Sequence, residues 1–139
     1  MEKFTVDRDI NLLCVRAKSF PQGVADAFKN LENLHPSVIQ RDFYGISHST
    51  ETGEVIYKAA VEEDFDGEAE EFGCEKFTIR KGEYATETIH DFTKNLEAFG
   101  PTFHKLLQHP QLDPNGACVE WYKNGDEVLC MVRLDSSAE

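Results

Sequence analysis

Apolar residues recur along this chain with two periods, and the order of those periods is the same in each half. From Ile10 to Lys18 the hydrophobic positions form an extended run, after which Pro21 opens a segment with Val24, Ala27, Phe28, Leu31 and Leu34 on one face at helical spacing. Pro36 stops that helix. Two strands are predicted next, Asp42 to Ser49 and Val55 to Glu62, joined by a turn through Glu51-Thr52-Gly53-Glu54. In the second half, Cys74 to His90 reads as a long strand or as a hairpin bent at Lys81-Gly82-Glu83. A helix then carries Leu96, Phe99, Phe103 and Leu106 before Pro110, with Gly100-Pro101 expected to split it into a short turn and a longer helix. Cys118 to Lys123 and Glu127 to Leu134 close the pattern as strands, with Asn124-Gly125-Asp126 as the hairpin turn. Ser136 to Glu139 is expected to be a frayed tail.

The halves share residues as well as periods. Phe4-Thr5-Val6 returns as Phe77-Thr78-Ile79, and Ala27-Phe28-Lys29-Asn30-Leu31 with His35-Pro36 returns as Thr102-Phe103-His104-Lys105-Leu106 with His109-Pro110. This predicts an α+β fold of two βαββ units related by a pseudo-twofold axis within one domain spanning residues 1–139. Repeat one covers about 4–64, an acidic connector 62–73, and repeat two about 74–135. The seam between equivalent elements is where a binding cleft is expected.

Composition narrows the class. The chain has 139 residues, 40% of them hydrophobic, which is enough for a core without disulfide or metal staples. Cys14, Cys74, Cys118 and Cys130 lie in or beside apolar runs with no CxxC spacing, as reduced core thiols of a cytoplasmic protein would. No apolar stretch approaches the ~18 residues of a spanning helix, and Met1-Glu2-Lys3-Phe4 does not begin a signal peptide, so no membrane association is expected. The net charge of -12 argues against direct nucleic-acid contact. Much of the acidic excess lies between Glu62 and Glu71, read as a solvated connector because it lacks EF-hand ligand spacing.

Glu120 is the residue whose chemistry stands out. Strand alternation puts Cys118, Glu120 and Tyr122 on one face and Val119 and Trp121 on the other, with Trp121 expected to pack against a helix. A carboxylate in so apolar a run must raise its pKa, face water, or find a cation, a donor or a ligand. Phe43, Tyr44, Tyr57 and Tyr84 come from different elements and supply aromatic walls for a planar or cationic guest. His90 is placed within reach of the cleft. The other histidines are not metal ligands: His104 and His109 are five apart, and His35 and His109 occupy equivalent helix ends where they would bond the last carbonyls. No nucleophile elbow, phosphate loop or cofactor fingerprint is present, so no catalytic residue, metal or cofactor is assigned.

The order of elements, the segment Phe77-Thr78-Ile79-Arg80-Lys81-Gly82-Glu83-Tyr84-Ala85, the helix with Phe103 and Leu106, Glu120-Trp121-Tyr122 before a final apolar strand, and Tyr57-Lys58-Ala59-Ala60-Val61 together resemble the bacterial gyrase-inhibitor-like effector-binding domains. These are the small-molecule sensors often fused to AraC-type or MerR-type DNA-binding domains. The resemblance spans about residues 4–134. It implies a concave sheet face with helices packed behind, and a glutamate at the place of Glu120 in the effector pocket. It therefore implies binding of a cationic or amphipathic organic molecule at Glu120, Tyr122, Tyr44, Phe43, Tyr57, Tyr84 and His90. No helix-turn-helix segment is read in the chain, so transcriptional control would act through a protein partner. Two alternatives stay open: a hydrolase of reactive cyclopropane compounds using Glu120, as in some stand-alone members, and a gyrase-inhibitor-like interaction module using the acidic surface.

Overall fold

The computed structural model describes residues 1–135, so the tail expected at Ser136 to Glu139 lies outside the described residues. The elements run β1 (Glu2–Val6), β2 (Ile10–Arg16), α1 (Val24–Glu32), β3 (Phe43–Ser49), β4 (Val55–Glu62), α2 (Glu68–Glu71), β5 (Glu75–Ile79), β6 (Gly82–Ile89), α3 (Phe99–Leu106), β7 (Cys118–Asn124) and β8 (Glu127–Arg133). Short 3-10 turns lie at Pro36–Gln40, Phe92–Lys94 and Leu96–Ala98. The class is α+β, as the alternating periods require.

The chain forms two compact units. One is Asp9–Ile79; the other combines Met1–Arg8 with the chain from Arg80 onward. In the first unit β3, β4, β2 and β5 follow one another in an antiparallel sheet, and in the second the order is β1, β6, β8, β7. The leading strands are therefore exchanged. β1 pairs with β6, placing Lys3 opposite Ala85 and Val6 opposite Gly82, whereas β5 pairs with β2, placing Phe77 opposite Leu12. The extended run from Cys74 to His90 is neither one strand nor a hairpin. It breaks between Ile79 and Gly82, and its two pieces pair in different units. Gly82 takes φ +139°, a conformation that L side chains rarely adopt.

Each sheet buries one face under its helix. In the first unit α1 presents Ala27 and Leu31, four apart, to Leu13, Ala59 and Val61, with Phe28, Val15 and Phe43 closing the edges. In the second unit Leu106 of α3 meets Ala85, Ile89, Val128, Cys130 and Val132, flanked by Phe92, Phe99 and Phe103. Complete burial of leucines such as Leu31 and Leu106 stabilises each unit by about 2–3 kcal/mol per side chain. Gly100-Pro101 does not split α3, contrary to expectation. Pro101 falls in the first turn, where its missing N–H would have had no intrahelical partner, and the interruption comes earlier, at Asn95–Ala98.

The acidic connector is not simply solvated. Glu68 is 3% exposed and Ala69 is fully buried. Arg41 grips Glu68 in a fork, with Nη1 donating to Oε1 at 2.7 Å and Nη2 to Oε2 at 2.8 Å, while the Asp64 N–H donates to Oε1 at 3.0 Å. Those donors hold the Glu68 carboxyl below the ordinary carboxylate range, the Arg41 hydrogen bonds contributing most. Among the described residues, no helix is long and apolar enough to cross a membrane.

Candidate functional site

Register decides which expected site residues meet. In the second unit Glu120 and Glu87 both pair with Cys130 of the central strand β8, so three side chains stand in one row on one face of the sheet. That face is the one α3 covers, since Cys130 belongs to the core cluster with Leu106, and Cys118 and Tyr122 pack against the same cluster. Glu120 is 8% exposed. Tyr122, two residues along the same strand, donates its hydroxyl to Glu120 Oε1 at 2.6 Å. The Tyr122 ring packs edge-on against Phe92 with centroids 5.1 Å apart, and Phe92 in turn meets Phe99 at 6.4 Å. The result is a nearly buried carboxylate flanked by aromatic rings, beneath a helix. Moving a carboxylate into so apolar a place costs several kcal/mol, and hydrogen bonds such as that from the Tyr122 phenol offset the cost.

Trp121 projects from the other face, as alternation requires, away from the face that α3 covers. It meets Phe4 of β1 edge-on at 6.0 Å, with the Lys123 ammonium 4.5 Å above the indole. Tyr84 belongs to that face too, because it pairs with Phe4 and Arg133, and its hydroxyl donates to the Arg80 carbonyl at 2.7 Å. Glu120 and Tyr84 thus project from opposite sides of one sheet. His90 lies beyond the end of β6 with an exposed side chain, and its Nδ1 sits 2.5 Å from Glu127.

The expected residues of the first unit divide the same way. Phe43 and Tyr57 lie under α1, where Phe28 stacks on Phe43 at 6.0 Å and meets Tyr57 at 6.2 Å, and Phe20 stacks on Tyr57 at 5.8 Å. Tyr44 is next to Phe43 in the strand and projects from the opposite face, buried at 3% exposure. Of the seven residues, Glu120 and Tyr122 meet through their hydrogen bond, while Phe43 and Tyr57 each meet Phe28 of α1 but pair with different residues, Val61 and Ser47.

Glu87 in the row of Glu120, Lys105 paired with Glu87, Phe92 against Tyr122 and Phe99 against Phe92 were not among the expected site residues. Glu87 carried a signal: it sits between Ala85 and Ile89 at strand period, a second carboxylate on an apolar face. Lys105 of α3 pairs with it, and this contact, more than any other, draws the Glu87 carboxyl below its ordinary range. A cavity of about 240 Å³ lies elsewhere in this unit, lined by Lys3, Gly82, Glu83, Gln111, Arg133, Leu134 and Asp135. Its charges pair across the walls, Lys3 with Glu83 at 3.1 Å and Arg133 with Asp113 at 3.1 Å, and none of the expected site residues lines it.

The histidines at the helix ends act in the opposite sense from that expected. Nδ1 of His35 accepts from the Ser37 N–H at 3.1 Å, and Nδ1 of His109 accepts from the Gln111 N–H at 3.0 Å. Each therefore caps the turn that follows it. Burial pushes the Cys14 thiol up to about 12 and raises Cys130 as well, so neither is poised as a nucleophile.

No family model and no curated protein matches this chain in sequence. Solved structures do match in fold. An integron cassette protein from the mobile metagenome of Vibrio cholerae superposes with a TM-score of 0.67 at 11% identity, over 96% of this chain and 94% of its own. SAV2435, solved bound to tetraphenylphosphonium, gives 0.60 at 12% identity over 95% and 93%. A Staphylococcus aureus MU50 protein assigned to bacterial transcription regulation gives 0.57 at 13% identity over 95% and 97%. At such identities the likeness establishes the fold: this chain is similar in architecture to proteins that include a binder of an organic cation.

Proposed function

We propose that this chain is a small-molecule binding module of the effector-binding type, which takes a lipophilic organic cation against Glu120. The observation that carries the reading is the row in which Glu120 stands: a carboxylate 8% exposed, on a face it shares with Glu87 and Cys130 and with Val128, Val132, Cys118 and aromatic rings. A carboxylate on so apolar a face suits a partner that brings positive charge and apolar surface together. Tyr122 holds the carboxylate in place, and Phe92 and Phe99 supply rings for the guest's apolar groups. SAV2435, of the same fold, is bound to tetraphenylphosphonium, which has this combination of charge and apolar surface. Such a module would report the guest to a protein partner, in the manner of a regulator.

The test is a calorimetric titration of the full chain and of Glu120→Gln with tetraphenylphosphonium and with the neutral triphenylphosphine oxide. The substitution keeps the shape and removes the charge, so cation binding should weaken by about 1–3 kcal/mol, roughly 5- to 150-fold, while the neutral compound changes little. Equal cation affinity in the two proteins would place Glu120 outside the site.

A further inference from the structure

Glu87 and Glu120 are direct register partners of the same Cys130, one on each neighbouring strand. Two strand spacings separate them, about 10 Å. Both side chains stand on the face that carries Cys130, Glu120 nearly buried and Glu87 with its side chain 26% exposed. Their partners differ in kind. Glu120 receives a phenol hydroxyl, whereas Glu87 is held by the Lys105 ammonium from α3 and lies 3.2 Å from the Met1 amine.

The duplication shows that this second carboxylate and its lysine belong together. Lys105 occupies the place of Asn30 in the repeated helix motif, and Glu87 occupies by register the place of Val15, the partner of Ala59 in the other sheet. Where the strand carries valine the helix carries asparagine. Where the strand carries glutamate the helix carries lysine. A lysine at 60% side-chain exposure contributes little to folding through such a pair, so its effect falls mainly on the charge offered by the sheet face.

We propose that Lys105 is a specificity-determining residue of the cation site: by occupying Glu87 as a resident ammonium, it makes the face present Glu120 to a guest and selects monocations over dications. This rests on the reading of Glu120 as the cation-binding carboxylate. A dication long enough to span both carboxylates would have to displace Lys105, and a monocation would not.

The experiment compares hexyltrimethylammonium with hexamethonium, which share a hexyl chain and differ in the second ammonium. Tetraphenylphosphonium is titrated alongside them. Wild type, Lys105→Gln and Lys105→Gln/Glu87→Gln are all prepared with an acetylated N-terminus, which removes the second cation from Glu87. Lys105→Gln should tighten hexamethonium by at least about tenfold and the monocations by under about threefold, and adding Glu87→Gln should abolish the gain. An equal gain for one and two charges, or a gain that survives Glu87→Gln, overturns the proposal, because either would be a general effect of net charge. If tetraphenylphosphonium binds wild type but hexamethonium gains nothing in Lys105→Gln, the selectivity role alone fails. If no cation binds any of the proteins, the reading of Glu120 fails and this inference with it.

Discussion

The two units place the same elements in the same order and fill the middle row of the helix-covered face differently. In one, the row is Val15, Ala59 and Gly45; in the other it is Glu87, Cys130 and Glu120. The first set is small and apolar, and α1 closes over it with Ala27, Leu31 and Phe28. The second contains two acids, and α3 brings Lys105 to one of them. Burial of the row in the first unit is apolar packing, while the row of the second carries two acids. A buried polar group persists against its cost when it has structural partners or a ligand to meet. The first unit has a buried acid as well, Glu68, but it sits outside the row and its charge is met by the Arg41 guanidinium. In the second unit Glu120 accepts from the Tyr122 hydroxyl.

The largest effect expected from breaking this contrast is at Arg41. Its side chain is 9% exposed and that of Glu68 4%, so Arg41→Met strands a carboxylate in the interior and should cost about 3–5 kcal/mol in urea unfolding. The sign of the pH dependence follows from the depressed Glu68 carboxyl. Because its folded pKa lies below the unfolded value, the pair's stabilisation is present above the normal carboxylate pKa and fades as pH falls through the depressed one. Unfolding midpoints should therefore fall on acidification in wild type, and part of that fall should vanish in Arg41→Met.

Next in size is a transplant between the rows. Val15→Glu puts an acid into the apolar row with no cation waiting, and should lower stability by about 2–3 kcal/mol. Adding Asn30→Lys supplies the helix lysine of the other unit and should restore about 1 kcal/mol. Chemical denaturation of the single and double variants measures both steps, and no recovery in the double variant would break the equivalence of the two helix–strand pairs.

The smallest effect sharpens the role of Glu120. Glu120→Leu leaves the Tyr122 hydroxyl without this acceptor, and Tyr122→Phe leaves the carboxylate without this donor, so each should cost about 1 kcal/mol. The double variant should come back to wild-type stability or exceed it, since removing both partners also removes the desolvation cost. Thermal melts of the four proteins of this cycle give the coupling. Additive losses would mean that the phenol and carboxylate do not act as a pair.

The site was legible as residues but not as a place. Strand alternation put Glu120 with Tyr122 and away from Trp121, and the structure keeps that division. Alternation says nothing about which face a helix covers, so Trp121 was expected against a helix and is found against Phe4 of β1. The same limit hid Lys105, whose partner Glu87 lies 18 residues away on another element.

Period and punctuation in the sequence determined most of the elements of this protein: the helix stopped before Pro36, the hairpins through Gly53 and Gly125, and the apolar faces of α1 and α3. These are local matters, settled by sterics and by the amphipathic period within a few residues. Partner choice belongs to the tertiary structure. Glu2–Val6 and Glu75–Ile79 differ by one methylene at their last residue and have the same pattern of burial, so nothing within either strand says which sheet it joins. The exchange of β1 and β5, the fork of Arg41 on Glu68, and the row of Glu87, Cys130 and Glu120 are pairings between distant residues. Such pairings are fixed only when register is set across strands that the sequence keeps far apart.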